Sequence, residues 1–272
     1  MIDLPYAEVI GDPIAHSKSP LLHGFWLRTL GIDAEYRATR VAPDQLGRYV
    51  ANRRDDPSWR GCNVTLPLKL AILDHVADPG GVREGIGAAN CVFRSADGVW
   101  SATNTDAAGF YAPVAELDLA GAPVAVVGTG GAARAVLWAL ARVGAGPVTV
   151  LARNPLKAAG LLGTFGLKGD AVMLGDPLPP DAALVVNASS LGMAGQPSLD
   201  LDLYALAEDA VVYDLVYAPL ETPLLAAARA RGLAKVDGLD MLIGQAAAAF
   251  ALFFGAEPPR DRDDELRARL IA

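Results

Sequence analysis

The sequence predicts an α/β protein in which an N-terminal α/β domain precedes a doubly wound dinucleotide-binding domain. Three observations carry this. Apolar, β-rich runs alternate with helical stretches along most of the chain, the pattern of a mostly parallel sheet. A continuously apolar run, VAVV, leads straight into a glycine-rich turn and a helix, which suits a strand covered on both faces. The 272 residues, 52% hydrophobic and 20% charged, are enough to bury a core without disulfide or metal staples.

The elements follow in order. Ala7 to Ile10 is apolar and ends at GDP, a strand. Ser19-Pro20 opens a helix with Ser at the N-cap and Pro at N1, running through LLHGFWLRTL to a stop at Gly31. AEYRATRV is strand-like, a helix begins at Asp44, CNVTL is a short strand, and a helix begins near Leu68. ANCVFRS and VWSAT flank ADG as a hairpin. A helical segment covers Ala107 to Leu117, after which strand APVAVVG enters the helix GAARAVLWALARVG. VTVLA, LVVNAS and VVYDLV are further strands, with helices from Pro155 and over PLLAAARARG. The window from Met241 to Ala256 is the most hydrophobic, but it is shorter than a membrane span, follows Asp240 and is interrupted by Gln245, so it predicts a buried helix. DDELRARLIA closes the chain as a charged amphipathic helix.

A formal charge of −8 argues against nucleic acid or an anionic membrane as partner, although a local basic pocket can coexist with it. Cys62 and Cys91 show neither disulfide-framework nor metal-ligand spacing, so no metal is expected. With no signal-peptide pattern at the N-terminus, a reducing, cytoplasmic compartment is expected.

Gly128-Thr129-Gly130-Gly131-Ala132-Ala133 follows the apolar strand and opens a helix, the context that gives a G-x-G-x-x-G/A string its weight. Gly128 permits the tight turn, Gly130 lets backbone approach a pyrophosphate, and Ala133 allows close helix–strand packing. The helix start supplies N–H donors and positive dipole to the phosphates. The next strand ends Ala152-Arg153-Asn154, and no acid lies between Asp118 and Asp170 to accept from a ribose 2′-hydroxyl. Arg153, with Lys157, suits a 2′-phosphate and so NADP rather than NAD; the other account of Arg153 is a solvated helix-end cation.

Ser17 and Ser19 flank a helix start, a neutral anion site suited to a carboxylate, though a serine there is often only a cap. Lys18 has the look of an ordinary exposed cation, and His16, His23 and His75 lack metal or triad spacing. Asn63 and Thr65 share one face of a short strand that Pro67 ends before Lys69. Asn104-Thr105-Asp106 stands where the two domains meet. Strand ends such as these are where open α/β sheets bind ligands, but loop polarity is also common.

Taken in order, GDPIAHSKSP, NVTLPLK, GAAN, NTDAAGF, VVGTGGAARA, NASSLGM, YDLVY and DGLDMLIGQAA resemble the shikimate dehydrogenases over nearly the whole chain. The resemblance implies an α/β substrate domain, 1–104 with 240–272 packing back on it, and a Rossmann domain, 105–239, with a cleft between them. It implies NADP-dependent reduction of 3-dehydroshikimate to shikimate, in aromatic amino acid and chorismate biosynthesis, by a monomer or homodimer. Ser17 and Ser19 would hold the substrate carboxylate. Asn63, Thr65, Asn90 and Gln245 would contact ring hydroxyls, with Tyr217 nearby. Lys69 would be the general acid/base, with Asp106 orienting it and binding the reacting hydroxyl. Gly128, Gly130, Gly131, Ala132, Ala133, Arg153, Lys157, Gly238 and Met241 would bind the cofactor. The family's usual Asn-Arg-Thr is Ala152-Arg153-Asn154 here, its following Arg is Lys157, and GAVN becomes GAAN. The alternatives are an NAD-dependent quinate/shikimate dehydrogenase and a non-catalytic dinucleotide sensor; a sensor needs no proton donor, so Lys69, Asp106 and the paired serines speak against it.

Overall fold

The computed structural model describes residues 4–271. The chain forms two compact units, one of residues up to Thr105 together with those from Ile243 on, the other Asp106–Leu242. The first unit begins with β1 (Tyr6–Gly11), α1 (Ser19–Leu30), β2 (Glu35–Arg40), α2 (Leu46–Arg54), β3 (Trp59–Val64), α3 (Val82–Gly85), β4 (Cys91–Arg94) and β5 (Trp100–Thr103). The second carries α4 (Asp106–Tyr111), β6 (Val124–Val127), α5 (Gly131–Arg142), β7 (Val148–Ala152), α6 (Pro155–Phe165), β8 (Ala171–Met173), β9 (Leu184–Asn187), β10 (Val211–Asp214), α7 (Pro223–Ala230) and β11 (Ala234–Val236). The chain returns to the first unit within α8 (Gly238–Phe254) and ends with α9 (Asp263–Ile271).

The first sheet has the order β2-β1-β3-β4-β5, with β1 parallel to β2 and β3, and β4 antiparallel to β3 and β5. Cys91 opens β4 opposite Asn63 near the end of β3, and Thr103 closes β5 opposite Cys91. One edge of the sheet therefore collects the ends of β1, β3 and β5 and the start of β4. On one side, the buried Glu8 carboxylate of β1 accepts from the Tyr49 hydroxyl at 2.9 Å, Arg53 Nε at 2.8 Å and the Thr39 hydroxyl, the partners a buried charge requires. In the rest of the core, His23 and Trp26 of α1 meet Phe250 of α8. Gly61 has no side chain because a Cβ there would collide with the Phe253 ring of α8 and the Val92 carbonyl.

Two local expectations are corrected. Helix α1 starts at Ser19 with Lys18 at the N-cap and no side-chain cap; Ser17 Oγ instead accepts the Ser19 N–H at 3.3 Å. No α-helix begins near Leu68: a turn carries Lys69 and a 3-10 turn spans Ala71–Asp74. The Lys69 carbonyl, which a helix would give to residue 73, accepts from Ala89 N at 2.8 Å instead, so tertiary bonding overrides local propensity.

The second sheet is parallel throughout, in the order β11-β10-β9-β6-β7-β8. Strands β6, β7, β9 and β10 are buried at every position, as expected of a covered parallel sheet. The three-residue edge strands β8 and β11, half-exposed or exposed throughout, gave no sequence signal. Helix α4 stops at Tyr111, short of Leu117, because Pro113 has no N–H to continue it. Among the described residues, no helix is long and apolar enough to cross a membrane.

Candidate active site

In each sheet the chain reverses its direction of travel at one pair of neighbouring strands, β1 and β3 in the first unit and β6 and β9 in the second. Ligands of open α/β sheets bind beyond the carboxyl ends of such a pair. Both predicted half-sites stand there.

In the first unit, Gly11 ends β1 and Thr65 follows β3. A Cβ on Gly11 would lie 2.5 Å from Thr65 Cγ2 and 2.7 Å from the Leu66 carbonyl, so glycine is what lets the two strand ends close up. Thr65 N donates to Ile10 O at 2.9 Å, and Asp12 N to Leu66 O at 3.0 Å. Thr65 thus lies just past the strand, not within it.

Beside it the structure gathers the predicted asparagines and glutamine. Asn63 Nδ2 donates to the Asn90 carbonyl at 3.3 Å. Asn90 Nδ2 donates to Thr105 Oγ1 at 2.9 Å and Gln245 Oε1 at 3.2 Å, while its Oδ1 accepts from Thr105 N at 2.7 Å. Thr105 Oγ1 in turn donates to Gln245 Oε1 at 3.4 Å. All four residues are buried, so each amide is held in one orientation before any ligand arrives. The Ala88–Asn90 loop is pinned at two further points, by Asn104 Nδ2 on Ala88 O at 2.6 Å and by Ala89 N on Lys69 O. That second bond seats half-buried Lys69 against the network.

Ser17 and buried Ser19 frame the start of the twelve-residue helix α1, which has no acid in its first turn. Lys18 between them donates to the Leu270 carbonyl at the end of α9, so it is a structural tie and not the exposed cation expected. Asp12, next after β1, is held below the usual carboxylate range by its hydrogen bonds to Arg40.

In the second unit, buried Asp106 opens α4. Gly128 follows β6 at φ +114°, and a Cβ there would sit 2.9 Å from the Ala188 carbonyl just past β9, so only glycine fits the turn. Gly130 caps α5 without a side chain, and a Cβ on it would meet nothing within 4 Å. Gly131 and Ala133 are buried, Ala132 is half-exposed, and the first turn holds no acid. Open space before a bare helix start fits a pyrophosphate. Arg153 follows β7 and is exposed; Asn154 Oδ1 caps α6 through Lys157 N at 3.1 Å, leaving the Lys157 side chain exposed in the first turn. Two exposed cations with no acid there fit a 2′-phosphate.

Tyr217, two residues past Leu215, is half-buried, and burial raises its phenol. Gly238 opens α8 where a Cβ would strike the Leu215 carbonyl, and Met241 is buried one turn on. Sequence reasoning assigned no role to the residues that brace these loops. Asp214 Oδ1 accepts from Asn187 Nδ2 at 2.8 Å and Val216 N at 3.0 Å, and its Oδ2 from Thr222 Oγ1 at 2.6 Å. Burial raises the Asp214 carboxyl, against these bonds. Asn187 belongs to NASSLGM and Asp214 and Val216 to YDLVY, whereas Thr222 lies in none of the motifs.

Residues 9–92 match the shikimate dehydrogenase substrate-binding domain, and 238–263 the shikimate 5′-dehydrogenase C-terminal domain. A shikimate dehydrogenase (NADP(+)) of Sphingopyxis alaskensis is 68% identical over 268 residues, 98% of this chain and 97% of that one. Among solved structures, the Thermus thermophilus shikimate 5-dehydrogenase in complex with NADP(H) and shikimate is 35% identical, with a TM-score of 0.84 over 98% of this chain and all of that one. A quinate dehydrogenase from Corynebacterium glutamicum in complex with NAD is 29% identical, with a TM-score of 0.85 over 98% and 99%. With 68% identity across almost its full length to one of their number, the chain belongs to the shikimate dehydrogenase family.

Proposed function

We propose that this protein is an NADP-dependent shikimate dehydrogenase, interconverting shikimate and 3-dehydroshikimate. The observation that carries the substrate side is the buried Asn63–Asn90–Thr105–Gln245 network, a rigid polar surface at the sheet edge that also bears Ser17 and Lys69. A ring carrying several hydroxyls and a carboxylate matches such a surface, because each amide offers a fixed donor or acceptor.

Ser17 and Ser19 donate to the carboxylate at the positive end of α1. Asn63, Thr65, Asn90 and Gln245 then hold the ring hydroxyls, with Tyr217 as a further contact. Lys69 Nζ takes the proton from the reacting hydroxyl oxygen in oxidation and returns it to the ketone oxygen in reduction. Asp106 binds at the reacting hydroxyl and orients Lys69. NADP, when bound, supplies the hydride acceptor. Gly128, Gly130, Gly131, Ala132 and Ala133 receive its pyrophosphate, Arg153 and Lys157 its 2′-phosphate, and Gly238 and Met241 complete the cofactor contacts. We also place the enzyme in the cytoplasm, in aromatic amino acid and chorismate biosynthesis, acting as a monomer or homodimer; its two buried free thiols suit a reducing compartment.

Initial rates at the reduced-nicotinamide absorbance band, with shikimate or quinate and NADP or NAD in all four combinations, test the proposal. The highest kcat/KM is expected for shikimate with NADP. Faster turnover of quinate with NAD would overturn both substrate and cofactor assignments, and no turnover in any combination would leave a dinucleotide-binding sensor.

A further inference from the structure

Tyr36 belongs to none of the sequence motifs, yet it touches the substrate half-site. Its ring stacks on the buried His23 imidazole, centroids 3.9 Å apart and planes 2° from parallel. Its hydroxyl donates to Asn63 Oδ1 at 2.6 Å. On the far side of the same carboxamide, Asn63 Nδ2 donates to the Asn90 carbonyl at 3.3 Å. A backbone carbonyl only accepts, so Nδ2 must face Asn90 and Oδ1 must face Tyr36; the flipped amide would set oxygen against oxygen. Burial raises the Tyr36 phenol well above its ordinary value, which keeps the proton on the hydroxyl and the hydroxyl a donor. The second Nδ2 hydrogen of Asn63 has no partner among the described residues.

We propose that Tyr36 is a positioning residue for substrate recognition: its hydroxyl locks the Asn63 carboxamide so that the remaining Nδ2 hydrogen is presented to a ring hydroxyl oxygen of the substrate. This rests on the assignment of Asn63 to substrate binding. Toward the ring Asn63 then acts as a donor, and the group it selects must offer an acceptor oxygen. The stack on His23 fixes the Tyr36 ring, since a tyrosine free to rotate its χ angles could not hold the amide to one orientation.

The test is a double-mutant cycle in the full-length enzyme, with KM for shikimate, KM for NADP and kcat measured for Tyr36→Phe, Asn63→Ala and the double variant. Tyr36→Phe keeps the stacked ring and removes only the hydroxyl. It is expected to raise the shikimate KM about tenfold, with kcat and the NADP KM within about twofold of wild type, a pattern that general loosening of the fold would not give. In the Asn63→Ala background the same change is expected to add less than about twofold. Multiplicative effects would overturn the proposal, as would an unchanged shikimate KM in Tyr36→Phe. If Asn63→Ala alone leaves the shikimate KM unchanged, the substrate role of Asn63 fails first and the role of Tyr36 with it. Should Tyr36→Phe fold poorly, Asn63→Asp is the second variant. It keeps Oδ1 for Tyr36 and removes both Nδ2 hydrogens, so it must raise the shikimate KM as Asn63→Ala does; a KM near wild type would overturn the donor assignment.

Discussion

In the proposed function, Arg153 is the residue on which the choice between two cofactors turns. It follows β7 exposed, near Lys157, in a stretch where no carboxylate competes for a ribose. Arg153→Ala is expected to raise the NADP KM roughly ten- to hundredfold, the worth of a lost charged hydrogen bond, with little change for NAD. The gap narrows as salt is added, because an exposed pair is screened. Initial rates with each cofactor check this, and equal losses for both would remove Arg153 from the 2′-phosphate. At this scale the sequence was informative wherever function is local. Gly128 to Ala133 run from the turn after β6 into the start of α5, and the roles proposed for them follow from a strand, a turn and a helix in succession. Asn90 and Gln245 meet across 155 positions, so only the family resemblance paired them. Tyr36 and the Asp214 brace went unassigned, because a hydrogen bond between distant strands leaves no periodicity to detect.

Among the elements, α1 joins chemistry to stability. Its first turn bears Ser19, and one turn on it buries His23 with neither ring nitrogen hydrogen-bonded among the described residues. Burial pushes the His23 imidazole down to about 3. The unfolded chain takes up this proton near pH 6.5, while the folded protein does so only near 3. Between those values the unfolded state binds more protons, so stability falls as pH falls, by about 1.4 kcal/mol per pH unit from this group. His23→Phe keeps an aromatic ring against Tyr36 and removes the titration. Denaturant unfolding from pH 6 to 4 is expected to show a gap between wild type and variant that shifts by about that amount per unit in favour of the variant; a constant gap would contradict it. Elements were mostly legible because apolar periodicity is strong in α5, α8 and the buried strands. The expected helix at Leu68 fails because Lys69 O is committed to Ala89, a bond made across the turn and not along it. The cap of α1 was misplaced by one residue because Ser17 Oγ reaches the Ser19 N–H from outside the helix.

For the molecule as a whole, each unit has its own sheet, and the proposed function assigns most shikimate contacts to the first unit and the NADP contacts to the second. Amide hydrogen exchange is expected to respond accordingly. NADP should protect residues 128–134 and 153–157, and shikimate residues 17–19, 63–69 and 88–90, with unfolding stability raised by mass action in both cases. Protection of 63–69 by NADP alone, without shikimate, would reassign that segment to the cofactor. The central claim is that the protein brings a polyhydroxy acid and NADP to reaction with Lys69 carrying the proton. Single-turnover hydride transfer by Lys69→Ala, with shikimate and NADP both saturating, tests it most directly. A rate about 10²–10⁴-fold below wild type is predicted, with a similar loss in Lys69→Met, which keeps the apolar stem. A rate within about threefold of wild type would contradict the account, leaving Lys69 a cation that positions substrate.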